Sequence, residues 1–143
     1  MPPHDEALRG NRARSVRRIF YVDPYLGAIP GHWASVARSF IRGVGDVEVR
    51  LVGNQRQERA YLEELEVEPL FSPAPYAPYG DDPHDRTRAL AAFQAQVDAY
   101  ASALAGLAQA SLTHEDLLFF PTIHPPILGG IVRWIEQAPA HRE

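Results

Sequence analysis

Apolar runs of four to six residues alternate with longer stretches of helical periodicity along the whole chain. The runs lie at residues 19–22 (IFYV), 47–52 (VEVRLV), 67–71 (VEPLF) and 117–120 (LLFF), and each predicts a β-strand. The second run is expected to end at Gly53-Asn54. Helices are predicted at residues 32–44, 55–64 and 84–111, and from residue 127 to Pro139. Asp85 is expected to cap the long third helix.

This alternation predicts an α/β fold, a four-stranded parallel sheet with helices on both faces and the strand order 3-2-1-4. Pro69 favours an edge position for the third strand, because proline cannot donate to a ladder. The apolar LLFF run is typical of a strand in the middle of a parallel sheet. Gly129 and Gly130 are expected either to weaken the last helix or to let it approach the sheet closely, and Phe119, Phe120 and Trp134 are expected to be buried.

One domain is predicted over residues 17–140, after an arginine-rich leader at residues 1–16 that is expected to be disordered. A local basic cluster flanks the first strand and comprises Arg9, Arg12, Arg14, Arg17 and Arg18. It is open to two interpretations, a contact with an anionic membrane or nucleic acid, or a solvated tail. The second is favoured, because no aromatic residues are interleaved with the arginines.

Composition excludes several classes of protein. The 143 residues carry a net charge of −4, which argues against a nucleic-acid partner. There is no lysine, so a Walker phosphate loop is excluded, and no cysteine, so thiol and zinc-thiolate chemistry are excluded. GxGxxG and GxSxG motifs are absent. Because residues 1–18 lack the apolar core of a signal peptide, a cytoplasmic location is expected.

The candidate chemistry lies in the turns that follow the first and fourth strands. In a 3-2-1-4 sheet these strands are neighbours, so Asp23, Gly31 and His32 should lie near Thr122 and His124. The backbone amides at residues 31–33 open a helix, which suits a phosphate, a sugar hydroxyl or another acceptor group. Alternatively, each histidine is an ordinary turn residue. The spacing of Asp23, His32 and His124 matches no known metal-ligand pattern, and no metal or other cofactor is predicted.

The proline-rich stretch at residues 72–83 (SPAPYAPYGDDP) predicts an irregular loop more mobile than the sheet. Tyr76 and Tyr79 either contact a substrate from this loop or simply pack on the domain.

Three segments carry a resemblance to a known family. IFYVDPYLGAIPGHW, VRLVGN and DLLFFPTIHPPILGGIVRWI, within residues 19–138, resemble the N-terminal Rossmann-like domain of a GT-B glycosyltransferase of the retaining, family-4-like kind. The resemblance implies a glycine-rich loop that faces a cleft and contacts the acceptor or the sugar phosphate. It points to Gly27, Gly31, Thr122 and His124 as binding residues, and to His32 as both binding and catalytic.

The chain also departs from that family. Ala28, Ile29 and Pro30 separate the paired glycines of the loop, and no second Rossmann-like domain follows. The resemblance therefore implies the acceptor-side half of a glycosyltransferase, inactive alone, which binds a nucleotide-sugar and an acceptor only with a complementary C-terminal domain. The alternative is a non-catalytic Rossmann-like module that binds a ligand or a partner. Pairing with itself or with a partner chain is the expected consequence of exposed apolar surface at the cleft edge.

Overall fold

The computed structural model describes residues 15–72 and 84–138. Strands and helices alternate in this part of the chain, as predicted. In chain order they are β1 (Arg18–Val22), α1 (Trp33–Gly43), β2 (Glu48–Asn54), α2 (Arg59–Leu62), β3 (Val67–Phe71), α3 (Arg86–Ser111), β4 (Asp116–Phe119) and α4 (Pro125–Gln137). Asp85 caps α3 as expected, because its carboxylate accepts a hydrogen bond from the Arg88 amide at 2.9 Å.

The four strands form one parallel sheet in the order β3-β2-β1-β4, which confirms the predicted α/β, Rossmann-like topology. β1 lies between β2 and β4, with Tyr21 opposite Leu51 on one side and Phe119 on the other. Strand β1 is therefore hydrogen-bonded along both edges, and its carboxyl end lies beside that of β4.

Helices cover both faces of the sheet, so the core has two halves. The half under α3 and α4 consists of Phe20, Val22, Val52, Phe71, Tyr100, Leu104, Leu107 and Ile127. The half under α1 and α2 consists of Tyr21, Leu26, Ala34, Ala37, Leu51, Leu62 and Leu65. Because successive side chains of a strand point to opposite faces, Phe20 and Tyr21 contribute to different halves.

The connection after β2 differs from its prediction. The strand continues through Gly53 to Asn54, and the predicted helix at residues 55–64 shortens to the single turn of α2. The side chain of Asn54 accepts a hydrogen bond from the Arg56 amide at 3.0 Å, and the Asn54 carbonyl accepts one from the Gln57 side chain at 2.6 Å. These local bonds compete with helical hydrogen bonding at residues 54–57, so the helix begins only at Arg59.

Strand β4 lies at the edge of the sheet, so the prediction of a middle position from its LLFF run is wrong. Among the described residues β4 pairs with β1 alone. Leu117 is 45% exposed, while Phe119, Phe120 and Trp134 are half-buried rather than buried as expected. Strand β4 is therefore apolar although only one of its two edges pairs with another described strand.

The glycine pair of α4 packs against helix α3, and not against the sheet as expected. A Cβ atom at Gly130 would lie 2.5 Å from Cβ of Tyr100, and one at Gly129 would lie 2.8 Å from a methyl group of Val97. The absence of side chains therefore permits the close approach of α4 to α3. The same packing leaves Leu128 and Ile135 on the exposed surface of α4.

An ion pair joins the first residues of β1 and β4 at the amino edge of the sheet. Arg18 donates hydrogen bonds of 3.0 and 2.8 Å to the two carboxylate oxygens of Asp116, and a further one of 2.8 Å to the Ser111 carbonyl. These bonds lower the pKa of Asp116 to about 2. Arg18 therefore belongs to the fold, although it was predicted as part of the leader's arginine cluster.

Several predictions lie outside the described residues. They concern residues 1–14 of the leader, with Arg9, Arg12 and Arg14, and the loop at residues 73–83, with Tyr76 and Tyr79. Within the described ranges, none of the helices combines the length and the apolarity that crossing a membrane requires.

The ion pair predicts the acid sensitivity of the fold. Because folding lowers the pKa of Asp116, its contribution to stability is present above about pH 4 and is lost as pH falls towards 2. Asp116→Asn should lower the free energy of unfolding by about 2 kcal/mol at pH 7 and flatten its decline between pH 4 and 2. Urea unfolding at several pH values measures both effects.

A matched control for this variant is Glu48→Gln. Its partner Arg50 lies at 3.2 Å, and both side chains are about half exposed. We expect a change within about 0.5 kcal/mol. Equal effects of the two substitutions would contradict the role of Asp116.

Helix packing gives a second prediction. Gly130→Ala should destabilise the protein by about 2 kcal/mol, because the new methyl group would overlap Tyr100. Gly106→Ala is the control, since Gly106 lies in α3 with no atom within 4 Å of its Cβ position, and should stabilise by about 0.5–1 kcal/mol. Thermal unfolding distinguishes the two, and a stable Gly130→Ala variant would show that α4 can retreat from α3.

Candidate functional site

The loops after β1 and β4 meet at the carboxyl edge of the sheet, where open α/β sheets bind ligands. We call the meeting place of Asp23, Tyr25, His32, Trp33 and His124 the switch-point crevice. Its residues come from the end of β1, the start of α1 and the start of α4. The adjacency of β1 and β4 in the sheet brings these three segments together.

The β1–α1 loop folds tightly around its first residues. Asp23 Oδ1 accepts a hydrogen bond from the Tyr25 amide at 3.0 Å, and the Asp23 carbonyl accepts one from the Leu26 amide at 3.1 Å. Gly27 follows with a φ of +93°, and a Cβ atom there would lie 2.7 Å from the Arg56 carbonyl oxygen. Gly27 thus lets this loop pack against the β2–α2 connection.

Asp23 is the buried charged group of the crevice. The residue is fully buried, and its Oδ2 atom has no hydrogen-bond partner. Burial raises the pKa of this carboxyl to about 6, although the Tyr25 amide and the charge of His32 act in the opposite direction. The carboxyl group therefore titrates near neutral pH and retains one unused acceptor atom.

A second buried polar atom lies on the same face of β1. The Tyr21 hydroxyl has no hydrogen-bond partner, and burial together with the nearby Asp23 raises the pKa of that hydroxyl. Tyr21 is two residues from Asp23, so both side chains point towards the α1 side of the sheet. Burying two polar groups without full pairing costs free energy of folding.

Aromatic rings connect the two loops. The Tyr25 ring stacks on Trp33 at 4.6 Å between centroids and meets the His124 ring edge-on at 5.6 Å. His32 packs against Trp33 at 4.4 Å. Tyr25 is buried, Trp33 is half-buried and His32 is exposed. The crevice thus has a rigid aromatic base and an exposed imidazole at its rim.

Helix α1 begins in the crevice with unpaired backbone donors. The first helical hydrogen bond runs from the Val36 amide to the His32 carbonyl, and no side chain caps the helix. The amides of residues 33–35 therefore have no partner within the helix. The first two residues of α4 are Pro125 and Pro126, which have no N–H groups, so α1 is the stronger anion-binding terminus.

His124 lies immediately before α4, across the crevice from Trp33. Its Nε2 atom and the Tyr100 hydroxyl are joined by a hydrogen bond of 3.3 Å. Its Nδ1 atom is buried and has no partner in the described part of the chain. Burial lowers the pKa of His124, which favours the neutral ring.

A groove of about 590 Å³ runs from His124 along the outer surface of α3 and α4. Phe93, Val97, Ile123, Leu128 and Val132 form most of its apolar lining. Its volume lies within the range of small-molecule sites. The groove therefore extends the crevice with an apolar surface.

The predicted site residues fall into three groups. Asp23, His32 and His124 all lie at the crevice, and Gly31 is exposed at its rim with a φ of +130°. Thr122 is half-buried before α4 and, in the described ranges, makes no side-chain hydrogen bond to the others. Gly27 contacts the neighbouring loop, as described above. Residues 15–72 and 84–138 contain no group of three His, Asp or Glu residues able to hold a metal ion.

Sequence reasoning missed three residues that shape the crevice. Tyr25 joins the two loops, Tyr100 bonds to His124, and Asn54 donates from its side chain to the Pro24 carbonyl at 3.2 Å. Asn54 was predicted only as the end of the second strand. The DPY sequence after an apolar strand was the available signal for Tyr25.

Asp23 predicts an unusual pH dependence of stability. Because folding raises its pKa, its contribution to stability is fully present below about pH 4 and is lost as pH rises through 6. Asp23→Asn should therefore raise the free energy of unfolding by roughly 2 kcal/mol at pH 8, with little gain at pH 4.

Chemical unfolding at the two pH values measures this difference. Asp46→Asn is the control, since Asp46 is exposed in the turn before β2. It should show no comparable difference. A gain from Asp23→Asn that is the same at pH 4 and pH 8 would contradict a buried, titrating carboxyl.

Comparison with known proteins does not identify a family. No family model, curated protein or solved structure matches the chain significantly. The crevice itself is therefore the basis on which a function can be proposed.

Proposed function

We propose that this protein is the acceptor-side, Rossmann-like part of a GT-B glycosyltransferase, which transfers a sugar from a nucleotide-sugar to an acceptor. The switch-point crevice then forms one wall of the active-site cleft. The GT-B resemblance of residues 19–138 and the 3-2-1-4 parallel sheet support this proposal. We also propose a cytoplasmic location for the reaction.

The observation that carries the proposal is the buried carboxyl of Asp23. An asparagine could accept the same hydrogen bond from the Tyr25 amide without the cost of a buried charge. A carboxyl with a free oxygen and a pKa of about 6 at a ligand-binding edge is therefore better explained by function than by stability.

The start of α1 supplies the electrostatic part of the proposed site. Its amides at residues 33–35 and the positive end of the helix dipole suit the phosphate that leaves the donor sugar. His32 lies at the rim of the same helix start, where its exposed ring can donate to a phosphate oxygen. His32 lies close enough to Asp23 for the two groups to interact electrostatically, and this interaction acts to lower the pKa of the Asp23 carboxyl.

The aromatic residues of the crevice and the groove beside His124 would position the sugar and the acceptor. Tyr25 and His32 both pack against the Trp33 ring, so the exposed part of the indole can offer an apolar contact to a sugar, and the neutral imidazole of His124 can bond to a hydroxyl. An acceptor with an apolar portion would extend into the groove beside His124. In this role the protein holds reactants in place, which lowers the entropic part of the barrier.

A second candidate function is a non-catalytic Rossmann-like module that binds a ligand or a partner chain. The observation that favours it is the open apolar groove, whose residues Leu128 and Val132 are each about half exposed. In that case the groove and not the crevice would be the functional surface.

Calorimetry with several nucleotide-sugars tests the proposal on the purified 143-residue chain. We expect weak binding and no measurable transfer, because one wall of a cleft provides few contacts and little shielding from water. A complementary GT-B C-terminal domain would supply the missing wall. Tight binding or turnover by the isolated chain would show that this domain holds a complete site.

Chemical-shift mapping by NMR locates the weak binding. We expect nucleotide-sugar to shift amide signals at residues 31–36 and the indole signal of Trp33. His32→Ala should weaken binding by about 10-fold without lowering thermal stability, since His32 is exposed. His114→Ala is the control, because His114 is also exposed but lies in the turn before β4. Shifts confined to the groove would instead favour the binding module.

A further inference from the structure

Helix α3 is longer than the sheet that it covers. Its last residue, Ser111, lies at the amino edge, where its carbonyl accepts a hydrogen bond of 2.8 Å from Arg18 of β1. The Tyr100 hydroxyl lies at the carboxyl edge, 3.3 Å from Nε2 of His124. Residues 100–111 therefore span the sheet, and residues 86–99, about 20 Å of helix, extend beyond its carboxyl edge.

Helix α4 packs on this projecting part of α3. A Cβ atom at Gly129 would lie 2.8 Å from a methyl group of Val97. The groove described above is lined by both helices along this contact, and it begins at His124. The His124 ring also contacts Tyr25 in the switch-point crevice. The groove and the crevice are therefore one continuous surface.

Charge is compensated along most of the groove. Arg133 pairs with Asp98 and donates a hydrogen bond of 3.2 Å to the Gln94 side chain. Glu136 is exposed to solvent at the far end. Between His124 and Arg133, the side chains that α4 places in the groove are apolar, namely those of Pro125, Leu128 and Val132. This chemistry favours an uncharged apolar ligand segment, because a charged one would lose hydration without gaining a partner.

The spacing of the lining residues indicates how long that segment is. Val132 follows His124 by eight residues, which is about 12 Å along the helix and matches an extended chain of about eight to ten carbons. Leu128 and Val132 are 50% and 47% exposed, so a chain in the groove would cover apolar surface that is now open to solvent.

We propose that the acceptor is an amphiphile, with a hydroxyl-bearing head group in the switch-point crevice and a single uncharged apolar chain in the groove. This inference rests on the proposed function, because glycosyl transfer is what makes the crevice ligand an acceptor. The covered apolar surface supplies binding free energy, and the continuity of groove and crevice places the hydroxyl beside His124.

Alkyl glucosides test the proposal, because their head group stays constant while the chain grows. Methyl, butyl, hexyl and octyl β-D-glucoside are titrated into the isotope-labelled full chain by NMR, each below its micelle-forming concentration. We expect the dissociation constant to fall about two-fold for each added methylene, since a groove open on one side gives about half of the free energy of full burial. The amide signals of residues 93–97 and 128–133 should shift.

Two variants of α4 locate the chain. Leu128→Glu places a charge in the groove and should weaken the binding of octyl glucoside about 10-fold. Ile135→Glu is the matched control, because it adds the same charge to α4 at a position that is 61% exposed and does not line the groove. Its binding should equal that of the wild-type chain. Circular dichroism checks that both variants are folded, as we expect for exposed positions.

Three results would overturn the proposal. They are a dissociation constant that does not depend on chain length, signal shifts that lie outside the groove, and equal weakening by the two variants. Sedimentation equilibrium of the unliganded chain adds a fourth, since a dimer that Leu128→Glu dissociates would show that a second copy fills the groove.

The nucleotide-sugar experiments fail or succeed separately, because they report on residues 31–36 and not on the groove. Nucleotide-sugar binding without chain-length dependence would retain glycosyl transfer and overturn the amphiphilic acceptor. Chain-length dependence without nucleotide-sugar binding would overturn the acceptor role and favour the non-catalytic binding module.

Discussion

Strand β1 is the constraint on which the rest of the structure depends. Its backbone is hydrogen-bonded to β2 on one edge and to β4 on the other, and helices cover both of its faces. Phe20, Tyr21 and Val22 are fully buried as a result. Asp23 is the first residue after β1, and because it directly follows this buried strand it is itself fully buried.

Two buried polar groups without a full set of hydrogen bonds, which cost free energy of folding, lie at the carboxyl end of β1. The Tyr21 hydroxyl and one oxygen of Asp23 are buried without partners, whereas Asn54, equally buried, is bonded through both ends of its amide. The two residues lie in neighbouring loops, yet both polar atoms of the Asn54 amide have hydrogen-bond partners and one oxygen of the Asp23 carboxyl has none. Buried polar groups of a stable fold usually have partners, so the unpaired oxygen of Asp23 requires an explanation, and ligand binding is the one proposed above.

The two edges of the sheet differ in composition. Strand β3 contains Pro69, which cannot donate a hydrogen bond to a ladder, whereas β4 is apolar and its Leu117 is 45% exposed. The crevice lies at the carboxyl end of the strands, and the groove beside His124 extends it along α3 and α4.

The sequence by itself determined the local elements and their order in the sheet. Apolar runs and helical periodicity located the four strands and the long helices, and the order 3-2-1-4 expected for this alternation brought Asp23, His32 and His124 to one crevice. Only the tertiary structure decided burial. Whether Phe119 and Trp134 are buried, whether Gly130 faces the sheet or α3, and whether Asp23 is paired depend on contacts between residues far apart in the chain. Periodicity reports which side of an element is apolar, but not what covers that side.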